Sequence, residues 1–137
     1  MEAVIDTNVL VYDTVKDSAY HEDAEEKLSA LRRWVVPTVV LEEFTIVLLQ
    51  LRIGKEFIRE KLLEILQNDR VEVASPTRQH FLDSVDAVSK ENISFKRLND
   101  KLIISIAKAR KLPILTYDRE MRKELEKLNI GSARAKK

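Results

Sequence analysis

Ala3-Val4-Ile5, Trp34-Val35-Val36, Val71-Glu72-Val73-Ala74 and Pro113-Ile114-Leu115-Thr116 are four short, largely apolar runs spread along the chain. At three or four residues each, they suit strands and are too short for helices. The segments between them carry apolar residues at helical spacing. His21 to Arg33 places Ala24, Leu28 and Leu31 on one face. After Pro37, Thr38 is the expected N-cap of a helix carrying Val40, Phe44, Val47, Leu48 and Leu51. Gly54 then breaks the chain, and a further helix carries Ile58, Leu62, Ile65 and Leu66. Thr77 to about Lys90 reads as helix and Ser94 to Leu98 as loop. Asn99 or Asp100 opens a helix through Ile103, Ile104, Ile106 and Ala107. Glu120 to Leu128 is helical, and Asn129-Ile130 is expected to form a short last strand.

Strands that are apolar on both faces belong in a parallel sheet covered by helices. Right-handed crossovers then give an α/β fold, an open, doubly wound α/β/α sandwich around four or five parallel strands. In such sheets the working crevice lies beyond the carboxyl ends of the strands.

With 137 residues and no Pro/Gly/Ser-rich linker, the chain is expected to form one domain over residues 1–132 with a basic tail at 133–137. No apolar run approaches the ~20 residues of a membrane span. The start, Met1-Glu2-Ala3-Val4-Ile5-Asp6, has no basic stretch ahead of an apolar one, so no signal peptide is expected. Cysteine is absent, which excludes disulfides and thiolate-bound zinc and suits a reducing cytoplasm. The net charge of +1 hides an asymmetry: residues 1–94 carry 11 basic and 18 acidic side chains, and residues 95–137 carry 13 and 5. A basic last third can attract a polyanion, or it can be a set of solvated helix faces.

The chemistry open to the chain is narrowed by what it lacks. With Gly54 and Gly131 as its two glycines there is no phosphate-cradling loop and no dinucleotide fingerprint. His21 and His80 are too far apart in sequence to form a helical zinc pair, and no Ser or Cys sits in a nucleophile elbow. Acidic residues remain. Asp6 follows the first strand and Asp118 lies just past the fourth, so both fall at the carboxyl edge of the sheet. Glu43 interrupts an apolar helix three residues after Val40 and four before Val47. It is placed towards the buried side, with Glu42 facing further outward. Asp100 stands at the start of an apolar helix, where the helix dipole favours a carboxylate. Such a cluster repels itself unless a divalent cation neutralises it. Hard oxygen ligands select Mg²⁺ or Mn²⁺, and the matching chemistry is phosphodiester hydrolysis.

The chain resembles the PIN-domain family, and most closely the VapC-type toxins of toxin–antitoxin pairs. The resemblance rests on Val4-Ile5-Asp6-Thr7-Asn8-Val9-Leu10, Glu43-Phe44 with Val47-Leu48, Asn99-Asp100 ahead of an apolar helix, and Leu115-Thr116-Tyr117-Asp118. It implies a metal-dependent endoribonuclease with Asp6, Glu43, Asp100 and Asp118 as catalytic, metal-binding residues around one or two Mg²⁺ or Mn²⁺ ions. It further implies that Thr116 holds the site by hydrogen bonds and that Asn8 orients Asp6 or a bound water. A cytoplasmic homodimer inhibited by a small antitoxin is the expected setting, with RNA as substrate.

Plainer roles stand beside these. Asp6 can be a turn residue, and Asp100 and Asp118 can be helix caps. Thr116 is at home in any strand. Lys96, Arg97, Lys101, Arg119 and Arg122 can hold RNA phosphates or be solvated charge. Asp13, Asp17, Glu22, Asp23, Glu25 and Glu26 read as a solvated loop and helix face, the two histidines as ordinary surface or helix residues, and Trp34 as core or a dimer contact. At the level of function, the alternatives are a PIN nuclease of RNA processing or DNA repair, and a non-catalytic PIN module that binds RNA or protein. A phosphoacceptor receiver domain shares the sheet, but it places an acidic pair after the first strand where Asp6-Thr7 supplies one carboxylate.

Overall fold

The computed structural model describes residues 1–128 and 130–134, without the side chains of 132–134. In chain order the elements are β1 (Glu2–Ile5), α1 (Thr7–Thr14), α2 (His21–Ala30), β2 (Arg33–Pro37), α3 (Thr38–Gln50), α4 (Lys55–Gln67), β3 (Val71–Ala74), α5 (Arg78–Glu91), a 3₁₀ turn (Phe95–Arg97), α6 (Leu98–Arg110), β4 (Ile114–Thr116), α7 (Arg119–Lys127) and β5 (Ser132–Arg134).

Among the described residues the strands form one sheet in the order β3-β2-β1-β4-β5. Every neighbouring pair is parallel, with Val4 opposite Val35 and Ile114, and Trp34 opposite Val71. This is the expected α/β architecture. Its physical basis is the full burial of Ala3, Val4, Ile5, Ile114 and Leu115, which leaves neither face of the central β1 and β4 to water. Right-handed crossovers put α1–α4 on one face and α5–α7 on the other; α1 packs on α2 and α3, and α5 on α6. The chain winds from β1 outward through β2 and β3, then returns to β4 on the other side of β1. The topological switch point therefore lies between β1 and β4.

Helix α1 was not apparent from the sequence. Its Val9-Leu10-Val11 run carries two β-branched valines and is strand-like, but Asp6 caps its N-terminus and Val9, Leu10 and Thr14 are buried, so packing overrides propensity. Helix α2 ends at Ala30, because Arg33 already pairs in β2. The N-cap position of α3 is held by Pro37, not Thr38, which is the first helical residue and makes no capping bond. The left-handed turn after α3 falls on Arg52 (φ 61°), whereas Gly54 caps α4 at an ordinary φ of −65°. The Ser94–Leu98 loop tightens into the 3₁₀ turn, which runs directly into α6. That helix opens at Leu98 and carries Asp100 in its first turn. The last strand is Ser132–Arg134, beyond the expected Asn129-Ile130. Ile130 is not in a strand, and Asn129 lies outside the described residues.

Candidate active site

Asp6 ends β1 and starts α1. Its Oδ1 accepts the Thr7 amide at 2.8 Å, and its Oδ2 accepts the Thr116 hydroxyl at 2.7 Å. It is therefore a helix cap as well as a member of the carboxylate cluster. The residue is only 6% exposed. Burial pushes its carboxyl up to about 6, and the nearby Asp100 and Glu43 carboxylates push the same way, while the Thr116 and Thr7 bonds oppose the shift.

Thr116, the last residue of β4, is fully buried and joins the two strand ends. Its Oγ1 donates to Asp6 and accepts the Asp118 amide at 3.0 Å. Asn8 lies beside it: its Oδ1 accepts the Tyr117 amide at 3.2 Å, and its Nδ2 stands 3.4 Å from Asp6 Oδ2. Asn8 Nδ2 also lies 3.5 Å from Thr116 Oγ1, so the shortest of its three ties is to the Tyr117 amide at the β4–α7 corner. Asp118 caps α7, with Oδ1 accepting the amides of Glu120 at 2.9 Å and Met121 at 3.3 Å.

Glu43 faces the site from the middle of α3, and the Thr7 hydroxyl donates to its Oε1 at 3.0 Å. Glu42 is exposed to solvent and is not part of the site. The choice between the two follows from the phase of α3, whose inward stripe is Val40, Phe44 and Leu48. Sequence reading missed Thr7. Its hydroxyl acts across 36 positions of chain, and no local pattern marks such a link.

Asp6, Glu43, Asp100 and Asp118 all line one cavity of about 290 Å³. Thr7 and Asn8 line it too, and Val11, Tyr12 and Val47 add an apolar wall. The cavity opens at the carboxyl ends of β1 and β4, at the switch point.

Asp100 is held from the 3₁₀ turn that leads into its helix. Arg97 Nε donates to Asp100 Oδ2 at 2.8 Å, while Arg97 Nη1 reaches Glu120 Oε2 at 2.8 Å. Burial raises the Asp100 carboxyl above its ordinary value. The Arg97 bond opposes this, and the charges of Asp118 and Glu124 add to it.

The donors around the cavity are carboxylate oxygens, the chemistry that suits a hard divalent cation. Burial raises Asp6 and Asp100 first of all, neighbouring carboxylate charge adds to it, and a bound cation would offset both. Among the described residues no three His, Asp or Glu side chains are already turned onto a single point as metal ligands. The reason lies in the bonds above: Asp118 is turned to the α7 amides, Asp100 to Arg97 and Glu43 to Thr7.

The basic residues near the site divide. Lys96 and Arg119 are exposed, and Arg122 is half-buried. Lys101 is only 4% exposed, with Nζ 2.8 Å from both carboxylate oxygens of Glu91 and also bonded to Glu124. Lys101 is therefore a buried tie between α5, α6 and α7 and is not placed to hold RNA. The acidic face expected along α1 and α2 is not wholly solvated either. Asp13 lies 3.9 Å from Lys61, and Asp23 accepts the Tyr117 hydroxyl. Tyr117 stacks on Tyr20 and meets Tyr12 edge-on, forming an aromatic cluster beside the site. His21 contacts the Tyr12 carbonyl at 2.9 Å, and His80 completes a capping box with Thr77. The Trp34 indole is half-buried and donates to the Leu28 carbonyl at 2.9 Å.

Residues 3–124 match the PIN domain family. The chain belongs to that family. Among curated proteins none matches it in sequence. Solved structures share the PIN fold. VapC20 of Mycobacterium tuberculosis, a toxin that cleaves the sarcin-ricin loop, superposes with a TM-score of 0.78 at 14% identity, over 89% of this chain and 94% of that one. VapBC2 of Rickettsia felis, solved with a DNA fragment from its promoter, gives 0.64 at 18% identity, over 96% of both chains. FitAcB of Neisseria gonorrhoeae gives 0.63 at 14% identity, over 98% and 97%. No helix among the described residues of this PIN domain is long and apolar enough to cross a membrane.

Proposed function

We propose that this PIN domain is a metal-dependent endoribonuclease and the toxin of a VapBC-type toxin–antitoxin pair. The observation that carries the nuclease reading is the convergence of Asp6, Glu43, Asp100 and Asp118, from four separate segments, on one cavity at the β1/β4 switch point. The toxin assignment is supported by the likeness to VapC20, VapBC2 and FitAcB over nearly the whole chain.

In this reading Asp6, Asp100, Asp118 and Glu43 hold one or two Mg²⁺ or Mn²⁺ ions. When bound, the metal lowers the pKa of a water and offsets charge on the phosphate oxygens. The chain's own residues do the rest. Thr116 and the Thr7 amide hold Asp6 in one orientation, so that its lone pairs face the cavity as a fixed donor. Thr7 does the same for Glu43. Arg119 and Lys96, exposed near Asp118 and Asp100, attract the RNA backbone. A small antitoxin is the proposed partner and a homodimer the proposed assembly, in the cytoplasm.

The purified protein is incubated with single-stranded RNA and Mn²⁺. Cleavage is expected; EDTA and Asp6→Asn each abolish it. Metal-loaded protein that leaves RNA intact, while Asp6→Asn keeps whatever effect the wild-type chain has on cell growth, would sink the catalytic reading. Growth arrest relieved by co-expression of a small neighbouring gene separates a toxin from a housekeeping nuclease.

A further inference from the structure

Arg97 is bonded to Asp100, one of the carboxylates that line the cavity. Its Nε–H bonds Asp100 Oδ2 at 2.8 Å, within charge-assisted hydrogen-bond range. Its other end is anchored elsewhere: Nη1 lies 2.8 Å from Glu120 Oε2 and Nη2 lies 4.0 Å from Glu124 Oε1, both on α7. The guanidinium therefore bridges an α7 surface and the acidic cavity, and it can release Asp100 without losing every carboxylate partner. Arg97 also belongs to the 3₁₀ turn, three residues before Asp100, so a side-chain rotation is enough to separate them. Lys101, the next basic residue along, is taken up by Glu91 and Glu124 and does not share this role.

We propose that Arg97 is an internal competitor for the divalent cation: it neutralises Asp100 in the metal-free protein and must hand that carboxylate over before the metal centre closes. Arg97 is thus a positioning residue that sets metal affinity, and its freed guanidinium remains on α7 beside the cavity. The inference rests on the metal-centre reading of the four carboxylates. It gives a role to the bond that Asp100, a carboxylate of the shared cavity, makes to Arg97.

Calorimetric titration with Mn²⁺ tests it on the full chain. Arg97→Gln is expected to bind Mn²⁺ about five- to tenfold tighter than wild type, the effect of removing one charge in contact with a ligand. Lys108→Gln makes the same change in net charge at an exposed site further along α6 and is expected to leave the affinity unchanged. Equal or weaker binding by Arg97→Gln overturns the proposal, as does a Lys108→Gln effect of the same size. Should Arg97→Gln not fold, the wild-type Arg97 Nε–H resonance is followed during Mg²⁺ titration. Loss of its hydrogen-bonded shift on saturation supports the exchange, and an unchanged resonance overturns it. Asp6→Asn keeps the two readings apart. If wild type binds Mn²⁺ and Asp6→Asn does not, the metal centre stands and the Arg97 result judges the competitor alone. If neither binds, both fall.

Discussion

The Thr116 hydroxyl donates to Asp6 Oδ2 at 2.7 Å and so ties the end of β4 to the end of β1 across 110 positions of sequence. Thr116→Val keeps the shape and removes the donor. It leaves a buried carboxylate oxygen and the Asp118 amide poorly satisfied. A loss of about 1–3 kcal/mol in urea unfolding is expected, with Mn²⁺ affinity down by about 10–100-fold. Thr116→Ser restores the hydroxyl and should recover most of both. A valine variant as stable and as tightly metal-binding as wild type would show that the bond is incidental.

Asp6 gives the metal-free fold a pH dependence whose sign can be worked out. Its folded-state carboxyl sits at about 6 against an ordinary 3.8, with burial the largest cause. The protonated form is the one the fold favours. This group's stabilising contribution is complete below about pH 4 and is lost as pH rises through about 6, amounting to on the order of 3 kcal/mol. Denaturant unfolding in EDTA should show that loss between pH 4 and pH 7.

It follows that Asp6→Asn should stabilise the metal-free protein at neutral pH, by about 1–3 kcal/mol, while abolishing stabilisation by Mn²⁺. Melting curves with and without the ion check both halves. An asparagine variant that melts lower than wild type in EDTA contradicts the first.

Lys101 is buried against two carboxylates on two different helices. Lys101→Ala leaves Glu91 and Glu124 facing each other around a void and is expected to cost about 3–5 kcal/mol. Lys101→Met fills the space without the charge and should cost clearly less. Equal losses in the two variants would mean that packing alone matters there.

Arg52 holds a left-handed backbone conformation (φ 61°) on an exposed turn far along α3 from Glu43. Arg52→Gly is expected to raise stability by about 0.5–1 kcal/mol and to leave RNA cleavage unchanged. A lower melting temperature would show that the arginine side chain contributes more than its backbone costs.

The sequence by itself determined the α/β class, the first four strands and the placing of Asp6 and Asp118 at the carboxyl edge, because these follow from local periodicity and from where apolar runs stop. It also narrowed the third carboxylate to Glu42 or Glu43. It favoured Glu43 from its spacing to Val40 and Val47, and the structure places Glu43 at the cavity. Only the tertiary structure turned the strand-like Val9-Leu10-Val11 into a helix, and moved the last strand to Ser132–Arg134, where backbone pairing with β4 was available. The two basic residues beside Asp100 read alike in sequence, yet Lys101 is locked between helices and Arg97 bonds to Asp100. The physical reason is common to these cases. Helix and strand periods are written into neighbouring residues, whereas charge pairs and hydrogen bonds between distant segments exist only once packing has brought those segments together.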